Sequence, residues 1–208
     1  AVPRQCLLPV PDDIPDHLAP LLLDAIGTTA HGIRLASKLV EPGAALVVGA
    51  GPIGLGSLMV LQALGWGTLA VCEPNPARAS FAASLGVEML SAEDAAARAF
   101  PLVIEASGKD AGRALALAAV APMGAAVQLG ESDQWQITET KALRRKDFFL
   151  IRSFYFPLGE YQANIELLRA HRTTFEKLVD DKADLAGLEA LFAAFARGER
   201  LKPLMCPA

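Results

Sequence analysis

The residues best suited to ligand chemistry form one glycine-rich stretch, Gly49-Ala50-Gly51-Pro52-Ile53-Gly54. An apolar run precedes this stretch and a helix-forming run follows it, so the glycines lie at a strand-to-helix turn. We expect Gly49 to permit the tight turn, Gly51 to let a phosphate approach the backbone, and Gly54 to allow close packing of the helix. The free N–H groups at the helix start would then bind a pyrophosphate. Pro52 suits this position because its missing N–H would be unpaired there.

Glu73 is a carboxylate at the end of the second apolar run. It lies 19 residues after Gly54. At this place a carboxylate accepts hydrogen bonds from an adenosine ribose and repels a 2′-phosphate, so we expect NAD rather than NADP. Arg78 can reach the ribose or the adenine edge, which leaves NADP open. The alternatives are that Glu73 is a solvated carboxylate at a strand end and that Arg78 is a surface charge.

Two more loops follow buried strands and are candidates for cofactor contact. Ser107 lies just after the fourth apolar run, in Glu105-Ala106-Ser107-Gly108, and Leu129 ends the fifth. Ligands of open α/β sheets bind beyond the carboxyl ends of the strands. We therefore expect Ser107 and Leu129 to line the nicotinamide side of a dinucleotide site, together with Pro52 and Ile53 nearer the phosphates. The alternative is that these loops make no ligand contact.

The elements that must position these residues alternate between strand and helix. Apolar runs predict six strands, at 45–48, 68–72, 87–90, 102–105, 125–129 and 148–151. Helices are predicted at 16–38 with a break near Gly27, and at 52–64, 76–85, 161–168 and 186–196, with a last strand at 201–205. Strands joined by helical crossovers form parallel sheets, so the sequence predicts an α/β fold with a doubly wound, six-stranded parallel Rossmann sheet.

Composition excludes several classes of protein. Hydrophobic residues make up 52% of the 208 residues and charged residues 20%, which suits a packed core and not a disordered chain. The net charge of −4 argues against binding of nucleic acid. Three scattered cysteines, Cys6, Cys72 and Cys206, fit neither a disulfide framework nor an all-cysteine metal site. The longest apolar stretch, 53–64, falls short of the roughly 20 residues of a membrane span, so we expect a soluble, cytoplasmic protein.

A second class of Rossmann protein uses similar residues. Methyltransferases that bind S-adenosylmethionine also carry a glycine-rich first loop and an acid after the second strand. Their sheets typically end in an antiparallel hairpin, which the sequence does not predict here. Six parallel strands favour a dinucleotide.

The stretch 49–55, with Gly43 before it and Glu-Pro-Asn-Pro-Ala-Arg at 73–78 after it, resembles the zinc-dependent medium-chain alcohol and polyol dehydrogenases. The lead-in at 8–15 and the segments 153–191 and 201–204 resemble the same family. The resemblance implies an NAD-dependent oxidoreductase that transfers a hydride between an alcohol or polyol and the nicotinamide, with zinc acting as a Lewis acid on the alcohol oxygen. It also implies a small-molecule substrate and a homo-oligomer, with no nucleic-acid or membrane partner.

The family implies a division into domains. A GroES-like catalytic domain comes first, and the cofactor domain is inserted before its last segment. By this resemblance residues 1–24 end the first catalytic segment, 25–153 form the dinucleotide-binding Rossmann domain, and 154–208 return to the catalytic domain. Two zinc ligands and a proton-relay hydroxyl would lie upstream. We therefore expect this chain to be a fragment of a longer enzyme and to be incomplete for catalysis by itself.

One metal ligand is implied within the chain. The stretch Asp24-Ala25-Ile26-Gly27-Thr28-Thr29-Ala30-His31-Gly32 resembles the Asp-x-x-x-Thr-x-x-His-Gly stretch of formaldehyde-dehydrogenase-like members. Asp24 lies 25 residues before Gly49, as the third zinc ligand of the family does, or it caps the next helix. Thr28 would lie near the nicotinamide, or is a hydroxyl at a helix start. His31 is a candidate proton shuttle, or a structural histidine.

Several charged residues receive no role in this scheme. We expect the run from Lys141 to Lys146 to be a solvated helix face, and His17 and His171 to lie at the surface. Arg152 stands where many relatives have glycine or a small residue, close to the expected nicotinamide end. Two alternative functions stay open: a zinc-independent medium-chain reductase, and a non-catalytic NAD-binding module.

Overall fold

The structure, a computed structural model, describes residues 2–138 and 140–206. At its centre is a six-stranded sheet of β1 (Ala45–Val48), β2 (Leu69–Cys72), β3 (Glu88–Met89), β4 (Phe100–Glu105), β5 (Val120–Gln128) and β6 (Phe149–Arg152). The strand order is β3-β2-β1-β4-β5-β6, and every neighbouring pair is parallel. The predicted doubly wound Rossmann sheet is therefore confirmed.

Helices cover both faces of this sheet. They are α1 (Thr29–Ala36), α2 (Pro52–Ala63), α3 (Pro76–Ser84), α4 (Ala92–Ala97) and α5 (Asp110–Ala119). A further short helix, α6 (Thr140–Leu143), precedes β6 and has no buried residue. Strand β1 shows how the two cores form, because Val47 packs into one hydrophobic cluster while Leu46 and Val48 pack into the other. All four residues of β1 are buried, which explains why the strand is a continuous apolar run rather than an alternating one.

The region before β1 is less regular than predicted. In place of one or two α-helices it contains a 3₁₀ helix at Asp16–Leu22, a π-helix at Asp24–Thr28 and then α1. Pro20 lies inside the first and cannot donate a backbone hydrogen bond. Gly27 lies in the second, where a Cβ would collide with the ring of Phe156. The π turn therefore lies where the chain beyond β6 packs against the helix.

The C-terminal segment packs beside the sheet and meets the N-terminal segment. It contains α7 (Tyr161–Ala170), α8 (Arg172–Phe175) and α9 (Leu188–Ala196), with a small parallel sheet of β7 (Lys182–Ala183) and β8 (Leu204–Met205). The hydroxyl of Tyr161 donates to the carbonyl of Pro9 at 3.1 Å, and Arg169 Nε donates to Asp13 Oδ2 at 2.7 Å. These contacts hold the first residues of the chain against α7.

The basic run before β6 differs from the prediction in one important respect. Helix α6 ends at Leu143, and Lys146 is not a solvated residue of its face. The Lys146 ammonium donates to the carbonyls of Leu117, Ala118 and Val120 at 2.8, 3.1 and 2.8 Å. A cation at the end of α5 satisfies carbonyls that have no partner within the helix and complements the helix dipole.

Cys6, Cys72 and Cys206 are all free thiols, so the chain has no disulfide among them. Across residues 2–138 and 140–206, no helix combines the length and the apolar character that crossing a membrane requires.

Candidate functional site

The glycine-rich loop forms a tight turn between β1 and α2. Gly49 has φ of +91°, which only glycine adopts easily. A Cβ on Gly54 would collide with the carbonyl of Gly49, so this glycine lets α2 start directly against the turn. Gly51 has extended backbone, and no atom lies within 4 Å of the position that its Cβ would take. The loop therefore leaves open space at Gly51, beside the first N–H groups of α2.

Glu73 braces this loop from the end of β2. Its Oε2 accepts the N–H of Ala50 at 2.5 Å, and its Oε1 accepts the N–H of Asn75 at 2.7 Å. The sequence did not predict this bracing role. Since an ionised carboxylate has about four acceptor positions, Glu73 retains capacity for a ligand.

A first cleft of about 680 Å³ opens beside the loop. Five predicted site residues line it: Gly49, Gly51, Glu73 and Arg78, with Ser107 from the loop after β4. Pro52 and Gly54 are not among its lining residues. The sequence missed other lining residues, among them Asn75, Ser91 and Lys109. They come from three separate loops, which only the fold brings together.

Arg78 lies in the first turn of α3 and lines the first cleft. The Asn75 side chain accepts the backbone N–H of Arg78 at 3.1 Å and caps α3. The Arg78 guanidinium lies near Gly198 of the C-terminal segment, and its Nε is buried with no hydrogen-bond partner in the part of the chain that the structure describes.

A buried carboxylate shapes the loop after β4. Glu105 is 2% exposed, and its Oε1 accepts the N–H of Ser107 at 2.8 Å, the Ser107 hydroxyl at 2.5 Å and the N–H of Gly108 at 3.0 Å. Its Oε2 is buried close to Gly130 and has no hydrogen-bond partner among residues 2–138 and 140–206. Glu105 therefore positions Ser107, a role that the sequence did not reveal.

A second cleft of about 600 Å³ lies on the other side of the glycine-rich loop. The predicted residues Asp24, Thr28, Ile53 and Leu129 all line it. Its remaining lining residues, which the sequence did not predict, are Glu131, Ser153, Phe154 and Tyr155. Tyr155 has φ of +51°, which is uncommon for a residue with a side chain.

Asp24 and Thr28 are neighbours in this second cleft. The Thr28 hydroxyl donates to Asp24 Oδ1 at 3.3 Å, one helical turn away. Asp24 is not the N-cap of α1, because it lies inside the π-helix that precedes α1. In the part of the chain that the structure describes, no three His, Cys, Asp or Glu side chains converge to hold a metal ion.

His31 lies outside the residues that line the two clefts. Its Nδ1 is 2.9 Å from Oε1 of Glu160, and Arg34 Nη1 donates to Oε2 of the same carboxylate at 2.6 Å. Partial burial opposes ionisation of Glu160, but the hydrogen bonds and charges of His31 and Arg34 outweigh it and lower the carboxyl pKa. This network joins α1 to the start of α7, and the shuttle role of His31 stays a prediction. His17 is half-buried and pairs in the same manner with Glu176, at 3.1 Å.

Both clefts lie beyond the carboxyl ends of the parallel strands. The first is lined by loops after β1, β2, β3 and β4. The second is lined by loops after β5 and β6, together with Asp24 and Thr28 of the π-helix and Ile53 of α2. The strand order reverses between β1 and β4, which is where open α/β sheets bind their ligands. An elongated ligand with two halves can thus lie across the glycine-rich loop.

The fold and this crevice define a protein of the Rossmann class. Residues 22–201 match the family described as glucose dehydrogenase C-terminus. The chain therefore belongs to this family, among the zinc-type medium-chain alcohol dehydrogenases.

Curated relatives and solved structures agree with this placement. The chain is 38% identical over 88 residues to an L-threonine 3-dehydrogenase of Mesorhizobium japonicum, covering 42% of this chain and 25% of the relative. It is 36% identical over 90 residues to an (R,R)-butanediol dehydrogenase of Saccharomyces cerevisiae, covering 43% and 23%. The alcohol dehydrogenase TADH of Thermus sp. ATN1 superposes with a TM-score of 0.83 at 26% identity, covering 96% of this chain and 61% of that one.

A 2R,3R-butanediol dehydrogenase of Bacillus subtilis shares the fold, with a TM-score of 0.85 at 21% identity over 96% of this chain and 60% of that one. The chain thus spans about three fifths of the length of these solved structures. Its alignments span about a quarter of the curated relatives.

The bracing of Ser107 by Glu105 yields a prediction for stability. Glu105→Ala removes the acceptor of three donors, so we expect the free energy of unfolding in urea to fall by about 2–4 kcal/mol. Glu105→Gln keeps one acceptor oxygen and should lose less. The control is Glu88→Ala, since this exposed carboxylate makes only a surface ion pair with Arg98 and its loss should cost about 0.5 kcal/mol or less. Equal losses at the two positions would contradict the bracing role.

Proposed function

We propose that the chain binds NAD(H) across the two clefts and that the protein to which it belongs is an alcohol or polyol oxidoreductase. The observation that carries the proposal is the open space at Gly51, between a cleft that suits adenosine and a cleft that suits nicotinamide. The family of the chain and the names of its relatives support the same activity.

The adenosine half of the cofactor is assigned to the first cleft. The first N–H groups of α2 would bind the pyrophosphate at Gly51, where no side chain intervenes. Glu73 would accept the ribose hydroxyls with its remaining lone pairs, which favours NAD over NADP. The Arg78 guanidinium would donate at the ribose or adenine edge. Ser107, which the sequence predicted for the nicotinamide side, would instead contact the adenosine half, because it lines the first cleft.

The nicotinamide half is assigned to the second cleft. When bound, NAD exchanges a hydride with the substrate carbon at its nicotinamide ring. Ile53 and Leu129 would exclude water from one side of the ring, and Thr28 would supply a hydroxyl beside it. The contribution of this chain is thus to bind and orient the cofactor.

The domain division follows from the same family. We assign residues 25–153 to the dinucleotide-binding domain, and residues 1–24 and 154–208 to segments of a catalytic domain. The contacts of Pro9 with Tyr161 and of Asp13 with Arg169 support this assignment, because they join the two segments to each other.

A homo-oligomer is also part of the proposal. Strand β6 is one of the two outer strands of the sheet, and its Phe149 and Leu150 are 36% and 41% exposed. An exposed apolar edge strand is suited to pairing with a second copy. We expect light scattering to show a dimer and Leu150→Lys to reduce it to monomers, and a monomeric unaltered chain would contradict the assignment.

We propose zinc binding only for a protein longer than this chain. The described residues do not complete a zinc site, since Asp24 has no adequate set of further ligands beside it. We expect Asp24→Ala in the longer protein to lower both its zinc content, measured by atomic absorption, and its rate of alcohol oxidation. Asp12→Ala, at an exposed position, is the control. Unchanged zinc content and rate would favour a zinc-independent reductase.

The open space at Gly51 gives the sharpest test of cofactor binding. Gly51→Ala adds a methyl group where no protein atom lies but where the pyrophosphate should, so we expect NADH affinity to fall by about tenfold or more. The free energy of unfolding should change by about 0.5 kcal/mol or less. NADH fluorescence titration of the 208-residue chain measures the affinity.

Gly159→Ala is the matched control, because that glycine also has open space around its Cβ position but lies outside both clefts. The proposal would be contradicted if the unaltered chain did not bind NADH. It would also be contradicted if the Gly51→Ala variant bound NADH with the same affinity as the unaltered chain. Tighter binding of NADPH than of NADH would contradict the role given to Glu73.

A further inference from the structure

Two walls of the second cleft belong to elements that continue behind it. One wall is the π-helix with Asp24 and Thr28, which runs directly into α1. The other wall contains Phe154 and Tyr155. These two residues lie in the segment 153–160, called the strap below, which leads from β6 to the start of α7. The width of the cleft therefore depends on how α1 and the strap are held relative to each other.

Arg152 fixes the beginning of the strap. Its Nη1 donates to the carbonyls of Gln128 and Ser153 at 3.1 and 2.7 Å, and its Nη2 lies 3.3 Å from Oε1 of Glu131. One guanidinium thus joins the end of β6 to the end of β5 and to the loop after it. Its planar set of donors can hold several acceptors in one arrangement, which a small residue at this position could not do.

The strap contains a strained backbone position. Tyr155 has φ of +51°, although its ring and that of Phe154 are largely exposed and pack against each other with centroids 4.2 Å apart. A conformation of this kind persists where the surrounding structure holds the chain on both sides of it. Because the two exposed rings supply little packing, the strap has to be held at its ends.

Glu160 fixes the far end of the strap to α1. Its Oε1 lies 2.9 Å from Nδ1 of His31, and its Oε2 accepts from Arg34 Nη1 at 2.6 Å. Arg34 Nη1 also donates at 3.0 Å to Oδ1 of Asn164, which lies one helical turn beyond Glu160. The side chains of His31, Arg34 and Glu160 are 17%, 25% and 24% exposed. Solvent therefore screens this network less than it screens a surface ion pair.

An apolar contact joins the same two elements closer to the cleft. The ring of Phe156 lies directly against the backbone of the π-helix, at the place where a Cβ on Gly27 would collide with it. Apolar contacts are not directional, so this one permits the strap to shift along the helix. The charge-assisted hydrogen bonds of Glu160 are directional and specify one position.

We propose that Glu160 is a positioning residue of the cofactor site, whose bonds to His31 and Arg34 hold the strap and the π-helix at the separation that the second cleft requires. This inference rests on the proposed function, since it takes NAD(H) as the ligand of the two clefts. It goes beyond that function because none of these three side chains lines either cleft. The first cleft is formed by other loops, so the effect of Glu160 falls on the nicotinamide half of the ligand.

The experiment compares NADH with ADP-ribose, which lacks the nicotinamide. Both ligands are titrated by calorimetry against the 208-residue chain and against its Glu160→Ala and Glu160→Gln variants. Glu160→Ala should weaken NADH binding about threefold to tenfold and leave ADP-ribose affinity unchanged. Glu160→Gln keeps one acceptor oxygen and should recover part of the loss.

Two further measurements test whether the effect passes through the network and the strap. Arg34→Ala should weaken NADH binding by itself and add little in the Glu160→Ala background, because either change breaks the same contact. Amide hydrogen exchange of residues 153–160 should become faster in Glu160→Ala even without a ligand. Exchange of residues 45–54, at the glycine-rich turn, should stay the same.

Two ion pairs elsewhere supply matched controls. Glu176→Ala removes a carboxylate of the same C-terminal segment that also pairs with a histidine, His17, at 3.1 Å. Arg169→Ala removes an arginine that pairs with Asp13. Neither Glu176 nor Arg169 lines a cleft, and both variants should bind the two ligands as the unaltered chain does.

The outcomes separate this inference from the proposed function. If the unaltered chain binds neither ligand, the proposed function and this inference both fail. If it binds both ligands and Glu160→Ala leaves NADH affinity unchanged, only the inference is overturned. Equal losses of NADH and ADP-ribose affinity in Glu160→Ala would also overturn it, since they would indicate a general effect on the fold. So would a selective loss of NADH affinity without faster exchange in the strap.

Discussion

The close approach of helix α2 to the turn after β1 is the contact on which the rest of the site depends. Gly54 lies so near the carbonyl of Gly49 that no Cβ fits, and a Cβ on Gly56 would likewise collide with the carbonyl of Ala25. These glycines bring α2 against the sheet on one side and against the π-helix on the other. Because the helix starts at the strand end, its free N–H groups and its dipole point to the crevice between the two clefts.

Two carboxylates then hold the loops around the crevice. Glu73 binds the N–H groups of Ala50 and Asn75, and buried Glu105 binds the loop that carries Ser107. Each carboxylate accepts hydrogen bonds from backbone N–H groups of a loop. Such charge-assisted bonds are stronger than bonds between neutral groups. Loops that are ordered before a ligand arrives lose less entropy when it binds. Two acidic residues therefore organise the loops around the crevice.

The second cleft is built from more distant parts of the chain. The π-helix contributes Asp24 and Thr28, while the segments after β5 and β6 contribute Leu129, Glu131 and Ser153. Arg152 joins those two segments, and Gly27 allows Phe156 to pack against the π-helix. The shape of this cleft thus depends on contacts between elements more than 100 residues apart in the chain, whereas the glycine-rich turn is largely local.

The sequence alone determined the features that depend on neighbouring residues. Buried runs such as 45–48, the glycine stretch and the helix that follows it predicted the parallel sheet and its ligand edge, because turn geometry and apolar periodicity are local. Glu73 and Arg78 were found by their spacing from Gly54, and both line the first cleft. Only the tertiary structure decided that Lys146 caps α5, that His31 pairs with Glu160, and that Glu105 and Arg152 hold loops. Except for the short-range bonds of Glu105, these contacts join residues far apart in the chain, and no local pattern specifies which distant donor meets which acceptor.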